Sequence, residues 1–562
     1  MSEALHRSWH VRWFDASLVA LLIAATSVRA AASDGGLTLS LLHGLFLVFA
    51  FIALSAVARR LHSVLADGLV GLTALLLIAE LAVQQFTGLH VNWFLLSLLL
   101  QPDADTQIGF SVIYALVLVV LVVALVAWGS LRTRAWVVRF PPVLLLVLTT
   151  SVFVVSQWVY TVAYFDGAAR ILETRRTLPF FWAPHPYRSN KLLGYVFGPR
   201  GENPFAESDD LEKRSQLAQP NAQLPAIDLE EAPNILIVVA DSWRSKDLIE
   251  NPELAPNFLR AGANGHLSLG HYSVSNCTHF SMYSLLTGRL ATSFGRQRRV
   301  MAPVGLLPAL SGLGYDVSTA ESVAMDWYNL SDILLPSTAD REIANGEDNF
   351  ETDQQVTQTT LEIIANWRNK TSPQLHLAYY HGTHYPYHES RARPGTTNLA
   401  RYKQAISTLD DELARLFDAL QSLSTDRRTL VMVTSDHGEE FLDEGIVGHA
   451  SRLTEEQVTV PFLVLGHESP ENMPVSHTGV YDFVLSELGL PGAAKQADSP
   501  TILANCDYDH PNGFAILNQQ GKYEFTYDDG YLVPTRDTEL AHGKKAVSMA
   551  AKKLLQAIAE DR

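Results

Sequence analysis

Cysteine is almost absent from this chain: among 562 residues there are only Cys277 and Cys506. A fold built on disulfides is thereby excluded, although one bridge between the two could form in an oxidising compartment. No Cys/His group has zinc-finger spacing. Basic residues are also in deficit, with 42 Lys and Arg against 59 Asp and Glu and a formal net charge of -17. A nucleic-acid binder would show a basic stripe, so nucleic acid is not an expected partner. Residues 1–165 are short of charge of either sign and rich in Leu, Val and Ala.

What fills that region is a set of long apolar runs. A bilayer crossing needs about 20 apolar residues. Five segments qualify: Phe14 to Arg29, Leu37 to Ala58, Ala66 to Phe86, Ile108 to Trp128 and Pro141 to Tyr164. The first could also be read as a signal peptide, but it lacks a convincing small-residue cleavage site and four more spans follow. No span shows the interior ionisable pair a transporter would suggest, although the third carries the charged Glu80. Arg7 and Arg12 precede the first span, Arg59 and Arg60 follow the second, and Arg132, Arg134 and Arg139 lie between the fourth and fifth. The other loops hold Asp34, Asp103 and Asp105. The positive-inside rule then predicts a cytoplasmic N-terminus and, after five spans, an outer C-terminal domain. The stretch from His90 to Leu100 is too short to cross and reads as an interfacial segment on the outer face, with a buried core helix as the alternative.

Residues 166–232 form a juxtamembrane segment and linker. Arg170, Arg175, Arg176 and Arg188 sit there among Phe180, Phe181 and Trp182. That mixture suits acidic lipid head groups, and equally a linker resting on the bilayer. From 233 to 562 the pattern changes. NILIVVAD (234–241), LHLAYYHGTHYPYH (375–388), TLVMVTSDHG (429–438) and VPFLVLG (460–466) contain continuous apolar runs of strand length. Such runs predict strands buried on both faces of a sheet. Tyr402 to Leu420 is apolar at helical spacing. The alternation predicts a doubly wound α/β domain, with ligands beyond the carboxyl ends of the strands.

Asp241, Asp436 and His437 end two of these strands and His384 follows a third. Two carboxylates and an imidazole at one edge suit a divalent metal such as zinc or manganese, with magnesium or calcium as alternatives. Singly, each has an ordinary reading: an Asp at a strand end often just caps a turn. Residues after Thr278 read as a short helix that stops at Gly288. Thr278 then lies at the helix N-terminus, where an anion is favoured. A hydroxyl held there against a metal is a suitable nucleophile, although Thr278 could simply be the N-cap.

Together these segments resemble the alkaline phosphatase/sulfatase superfamily: NILIVVADSWR, the region up to THFSMYSLLTGR, GTHYPY, YKQAISTLDDELARL and TSDHGEEFLDEGIVGHAS, in that order. The resemblance implies a doubly wound mixed sheet and carries roles to matching positions. Asp241, Thr278, Asp436 and His437 match metal ligands, Thr278 the nucleophile, and His384 and His449 groups that contact the transferred phosphate or sulfate or protonate the leaving group. Cys277 is the runner-up nucleophile. The sulfatase Cys-x-Pro-x-Arg signature is missing, and Asp241 is followed by Ser242. The set looks more like lipoteichoic acid synthases and phosphoethanolamine transferases.

The five-helix bundle, the arginine-rich stretch RRTLPFFWAPHPYRSNKLLG and LHVNWFLLSLLLQPDAD further resemble the YejM/PbgA family of Gram-negative inner-membrane proteins. That resemblance implies an inner-membrane location with a periplasmic domain, and membrane-lipid partners such as lipopolysaccharide, lipid A or cardiolipin. Two functions follow as expectations. One is metal-dependent phosphoryl hydrolysis or transfer on a lipid head group. The other is a non-enzymatic lipid A sensor acting through an inner-membrane protein partner. The family's best-known members have lost metal-site residues, whereas TSDHG is complete here.

Overall fold

The structure is a computed structural model. It describes residues 9–34, 37–87, 137–166, 178–181 and 224–560, the last with short omissions, and scattered positions between 120 and 129. The chain divides into two compact units, Met1–Glu207 with Val533–Ser548 and Ser208–Leu532 with Met549–Arg562. Each is described by itself.

In the first unit, α1 (Trp13–Asp34), α2 (Leu37–Leu61), α3 (Ser63–Thr87) and α4 (Pro142–Asp166) are long helices. Stretches of three of them, Leu37–Leu61, Ser63–Val83 and Pro142–Ala163, are long and apolar enough to cross a membrane. Among the described residues of α1, Trp13–Val28 forms a shorter apolar helix. The fourth expected span, Ile108 to Trp128, lies almost wholly outside the described residues, as do His90 to Leu100 and Arg170, Arg175, Arg176 and Arg188. Val19, Ile23, Phe51, Ile52, Val70 and Leu77 pack into an inner cluster. Leu41, Leu45, Leu54, Leu72 and Leu144 face outward. Leucine on the outside of a bundle is what a lipid solvent permits. Strand β1 (Trp9–Arg12) pairs antiparallel with β2 (Val137–Phe140). Arg12 Nη1 donates to Asp67 Oδ1 at 2.9 Å and Arg59 Nη2 to Asp15 Oδ2 at 2.7 Å. These contacts gather three arginine-bearing segments at one end of the bundle.

The second unit is built on a seven-stranded mixed sheet. Its strands are β3 (Asn234–Ala240), β4 (His266–Tyr272), β5 (Asp316–Glu321), β6 (Asp340–Ile343), β7 (Gln374–Tyr380), β8 (Thr429–Ser435) and β11 (Thr459–Leu465), in the order β4-β11-β8-β3-β7-β5-β6. A minor pair, β9 (Glu440–Phe441) and β10 (Val447–Gly448), lies apart. Every residue of β3 and β7 is buried, as expected for central strands covered on both faces. One face packs on α5 (Pro256–Ala263), α7 (Asn349–Asn366) and α8 (Asn398–Ser422). There Leu236, Val238, Ala378 and Val433 meet Phe258, Val356, Tyr402, Ile406 and Leu413. Between α5 and α7 comes α6 (Thr278–Thr287), ended by Gly288 at φ 69°. A second, four-stranded sheet, β12 (Thr501–Asn505), β13 (Gly513–Asn518), β14 (Gly521–Asp528) and β15 (Tyr531–Pro534), closes the unit before α9 (Arg536–Glu560).

Register decides where the chemistry falls. β3 is parallel to β7 and β8, with Ala240 opposite Tyr380 and Ser435. The next residue on each strand, Asp241, His381 and Asp436, therefore emerges at the same sheet edge. β4 and β8 both run antiparallel to β11, so β4 delivers the Thr278 helix to that edge too.

The buried Tyr402 hydroxyl donates to the Ser242 carbonyl at 2.7 Å and accepts from Arg244 N–H at 2.9 Å. It thus ties α8 to the turn after β3. Tyr402→Phe leaves both groups unpaired and is expected to cost about 1–3 kcal/mol, measured by chemical denaturation of the purified protein; an unchanged midpoint would overturn this.

Candidate active site

Asp241, at the end of β3, is enclosed by donors. Tyr379 Oη donates to its Oδ2 at 2.5 Å, His381 Nδ1 lies 3.0 Å from the same oxygen, and Ser242 Oγ donates to Oδ1 at 2.8 Å. Asp436 Oδ1 accepts from the N–H groups of Ser242 and His437, at 3.0 and 2.7 Å. Its Oδ2 is buried and accepts no hydrogen bond. His437 Nδ1–H donates to the Gly438 carbonyl at 2.9 Å, which leaves the Nε2 lone pair aimed at the site. That Nε2 is 3.5 Å from Asp436 Oδ2, 3.9 Å from Asp241 Oδ1 and 3.3 Å from Thr278 Oγ1. Donor atoms of Asp241, Asp436 and His437 all lie within 4.8 Å of one another. An orphaned carboxylate oxygen, a second carboxylate and an imidazole lone pair converging in a buried space fit a divalent cation of zinc or manganese type.

Electrostatics agree. Burial disfavours charge on both acids. For Asp241 this is outweighed by the neighbouring His384, His381 and His437, which hold it well below the ordinary range. Asp436 takes the penalty and is pushed well above it, by burial and by the Asp241 charge. Burial lowers His437 to about 3, so the ring is neutral and fit to ligate. Gly438 is glycine because a Cβ there would lie 2.0 Å from the Glu456 carbonyl oxygen.

Thr278 is the first residue of α6, and Cys277 occupies the cap position without a side-chain cap bond. Thr278 is therefore not the N-cap. The runner-up nucleophile, Cys277, is corrected: its sulfur is bonded to Cys506. A sulfur in a disulfide is neither a thiolate nor available for conversion to formylglycine.

His384 and His449 both reach the site. The His384 ring stacks on His381 at 4.3 Å and lies 5.4 Å from that of His449, which is 4.3 Å from His437. Burial lowers His384 to about 4, a neutral ring. For His449 burial opposes charge, but Glu439, 3.1 Å away, outweighs it and raises the imidazole to about 8. Glu439 is fixed in turn by Tyr387 Oη at 2.9 Å. Sequence reading missed His381, which with Asp241 and His384 forms a second convergent set. The three-residue spacing of His381 and His384 was its one signal. It also missed Tyr379 and Glu439, whose roles depend on contacts made only in the fold.

Arg244 joins the two loops that carry the carboxylates. It donates to Asp247 Oδ2 at 2.6 Å, Asp443 Oδ2 at 2.6 Å and the Glu439 carbonyl at 3.0 Å, and lies over the Phe441 ring.

Comparisons with known proteins bear on this geometry. Residues 233–489 match the sulfatase family. The chain is 23% identical over 418 residues to the inner membrane protein YejM of Salmonella typhimurium, covering 70% of this chain and 67% of that protein. It is 25% identical over 269 residues to N-acetylgalactosamine-6-sulfatase of Mus musculus, covering 38% of this chain and 51% of that protein. The integral membrane protein lipooligosaccharide phosphoethanolamine transferase A (EptA) of Neisseria meningitidis superposes with a TM-score of 0.55 at 15% identity, over 85% of this chain and 96% of that one. The last likeness is one of fold.

Burial would raise Asp443, but its bonds to Lys246 and Arg244 outweigh burial and hold it well below its ordinary value of 3.8. A depressed carboxyl stabilises the fold above its unfolded pKa, and that contribution is lost as pH falls. Unfolding measurements should therefore show wild type more stable than Asp443→Asn at neutral pH, with the gap shrinking below about pH 4; a gap that persists in acid would refute the pairing.

Proposed function

We propose that this chain, a multi-pass inner-membrane protein similar to YejM with a sulfatase-type domain over residues 233–489, is a divalent-metal-dependent phosphoryl hydrolase or transferase acting on lipid head groups. The observation that carries the reading is the Thr278 hydroxyl, 3.3 Å from His437 Nε2 at the start of a helix and beside two buried carboxylates. EptA, which shares the fold, is by name a lipooligosaccharide phosphoethanolamine transferase. The same class of phosphorylated membrane lipid, lipid A and lipopolysaccharide included, is the proposed substrate. Sulfate-ester hydrolysis is disfavoured because Cys277 is bridged and Asp241 is followed by Ser242.

Asp241, Asp436, His437 and Thr278 would hold the metal, zinc or manganese. When bound, it supplies positive charge that favours the Thr278 alkoxide and neutralises phosphoryl oxygens. Thr278 gives up its hydroxyl proton to water, its Oγ1 bonds to phosphorus, and the bond from phosphorus to the head-group or lipid oxygen breaks. The positive end of the helix dipole at the start of α6 favours the anionic phosphoryl group. His449, held protonated by Glu439, is placed to give its proton to the leaving oxygen. The neutral His384 ring gives its Nδ1–H to the Tyr385 carbonyl at 2.8 Å, so its Nε2 is an acceptor able to hold the hydroxyl of an incoming water or alcohol. Water or a second alcohol then displaces the phosphoryl group from Thr278. The apolar helices keep the domain beside its substrate. We orient the chain with its N-terminus cytoplasmic and this domain periplasmic.

The test is elemental analysis of the purified full-length protein together with hydrolysis of a fluorescent phosphatidylethanolamine. Thr278→Ala should keep its metal and lose turnover by about a thousandfold or more; Asp436→Ala should lose the metal itself. An inactive wild type that takes up neither zinc nor manganese would sink the reading.

A further inference from the structure

The loop that presents Thr278 is held in an unfavourable conformation. Val274 lies at φ 61°, a left-handed value that a β-branched residue rarely adopts. Such a conformation persists only where its surroundings over-determine it. Here they come from the second sheet, more than two hundred residues later in the chain. The Val274 carbonyl accepts from Ala504 N–H at 2.8 Å, and Ser275 Oγ donates to the Ala504 carbonyl at 2.8 Å. Asn276 Oδ1 accepts from Cys506 N–H at 2.9 Å, and the disulfide joins Cys277 to Cys506.

Asn276 reaches further. Its Nδ2 lies 2.8 Å from the Arg452 carbonyl, 3.0 Å from Gln457 Oε1 and 2.9 Å from Asn505 Oδ1. Its own carbonyl accepts from Ala450 N–H at 2.9 Å. Ala450 follows His449 directly, and Thr278 lies two residues beyond Asn276. One fully buried residue therefore spans the loop of the hydroxyl, the loop of His449 and the end of β12, through its backbone carbonyl to Ala450 and its side-chain amide to Arg452, Asn505 and Cys506.

We propose that Asn276, acting with the Cys277–Cys506 bridge, is a positioning residue that fixes Thr278 Oγ1 relative to His449, which makes the end of β12 part of the catalytic apparatus. This inference rests on the reading of Thr278 as nucleophile. A misaligned attack lowers turnover far more than binding, because reacting groups must be aligned to fractions of an ångström. Three of the four proposed metal ligands, Asp241, Asp436 and His437, hang from β3 and β8, so the metal should remain.

The test uses full-length Asn276→Ala and the double variant Cys277→Ala/Cys506→Ala. We expect kcat to fall at least about tenfold with KM within about twofold, and metal content to be unchanged. In metal-free protein, hydrogen–deuterium exchange should rise in Val274–Met282 and Val447–Arg452 and not in β3 or β8. Retained kcat in both variants, or exchange rising throughout the domain, would overturn the proposal. If wild type itself turns over nothing, the phosphoryl-transfer reading fails separately. Exchange then decides: a rise confined to the two loops sustains the positioning role, and no rise removes it.

Discussion

Two carboxylates held within 4.8 Å of each other, away from water, repel with little screening. Asp241 is surrounded by hydroxyl and imidazole donors that favour its charge. Asp436 is left with an oxygen that no protein group satisfies. Leaving a buried polar atom unpaired is costly, and the arrangement makes sense when a cation completes it. The surrounding structure follows from that need. Ser242 N–H and His437 N–H orient Asp436, the Gly438 carbonyl fixes the His437 tautomer, and Arg244 holds the two carboxylate loops together.

The sheet supplies the rigidity this requires. Strands β7, β3 and β8 are parallel and in register, so their ends meet at one edge with little freedom. The remaining groups arrive by other routes. Thr278 comes on a helix delivered by β4, and its loop is braced by β12. His449 comes on an irregular loop and is tied back by Glu439, ten residues earlier. A rigid frame for the proposed metal ligands and a separately braced Thr278 hydroxyl is a sound division, because ligand geometry tolerates less movement than a loop can guarantee.

The membrane unit obeys a different solvent. Its outward leucines carry no penalty in lipid, while Arg59, Asp15, Arg12 and Asp67 pair at one end of the bundle. The three segments that share this end are those whose arginines predict a common side.

Much of this was legible in the residues. The apolar runs at 234–241, 429–438 and 460–466 read as buried strands, and they form β3, β8 and β11. Gly288 does stop the helix that begins at Thr278, and the ordered series of motifs fixed the fold class. Strand periodicity and helix stops are local properties, written in neighbouring residues. What stayed hidden was non-local. Nothing adjacent to Glu439 announces that it charges His449, nor does anything near Asn276 show that it meets β12. That Cys277 is bridged was only one possibility in the sequence, and it became a fact when α6 was brought against Cys506. The sequence by itself determined the elements and the kinds of donor available. Only the tertiary structure decided which donors share a space, because register, burial and long-range pairing arise from the packing of distant segments.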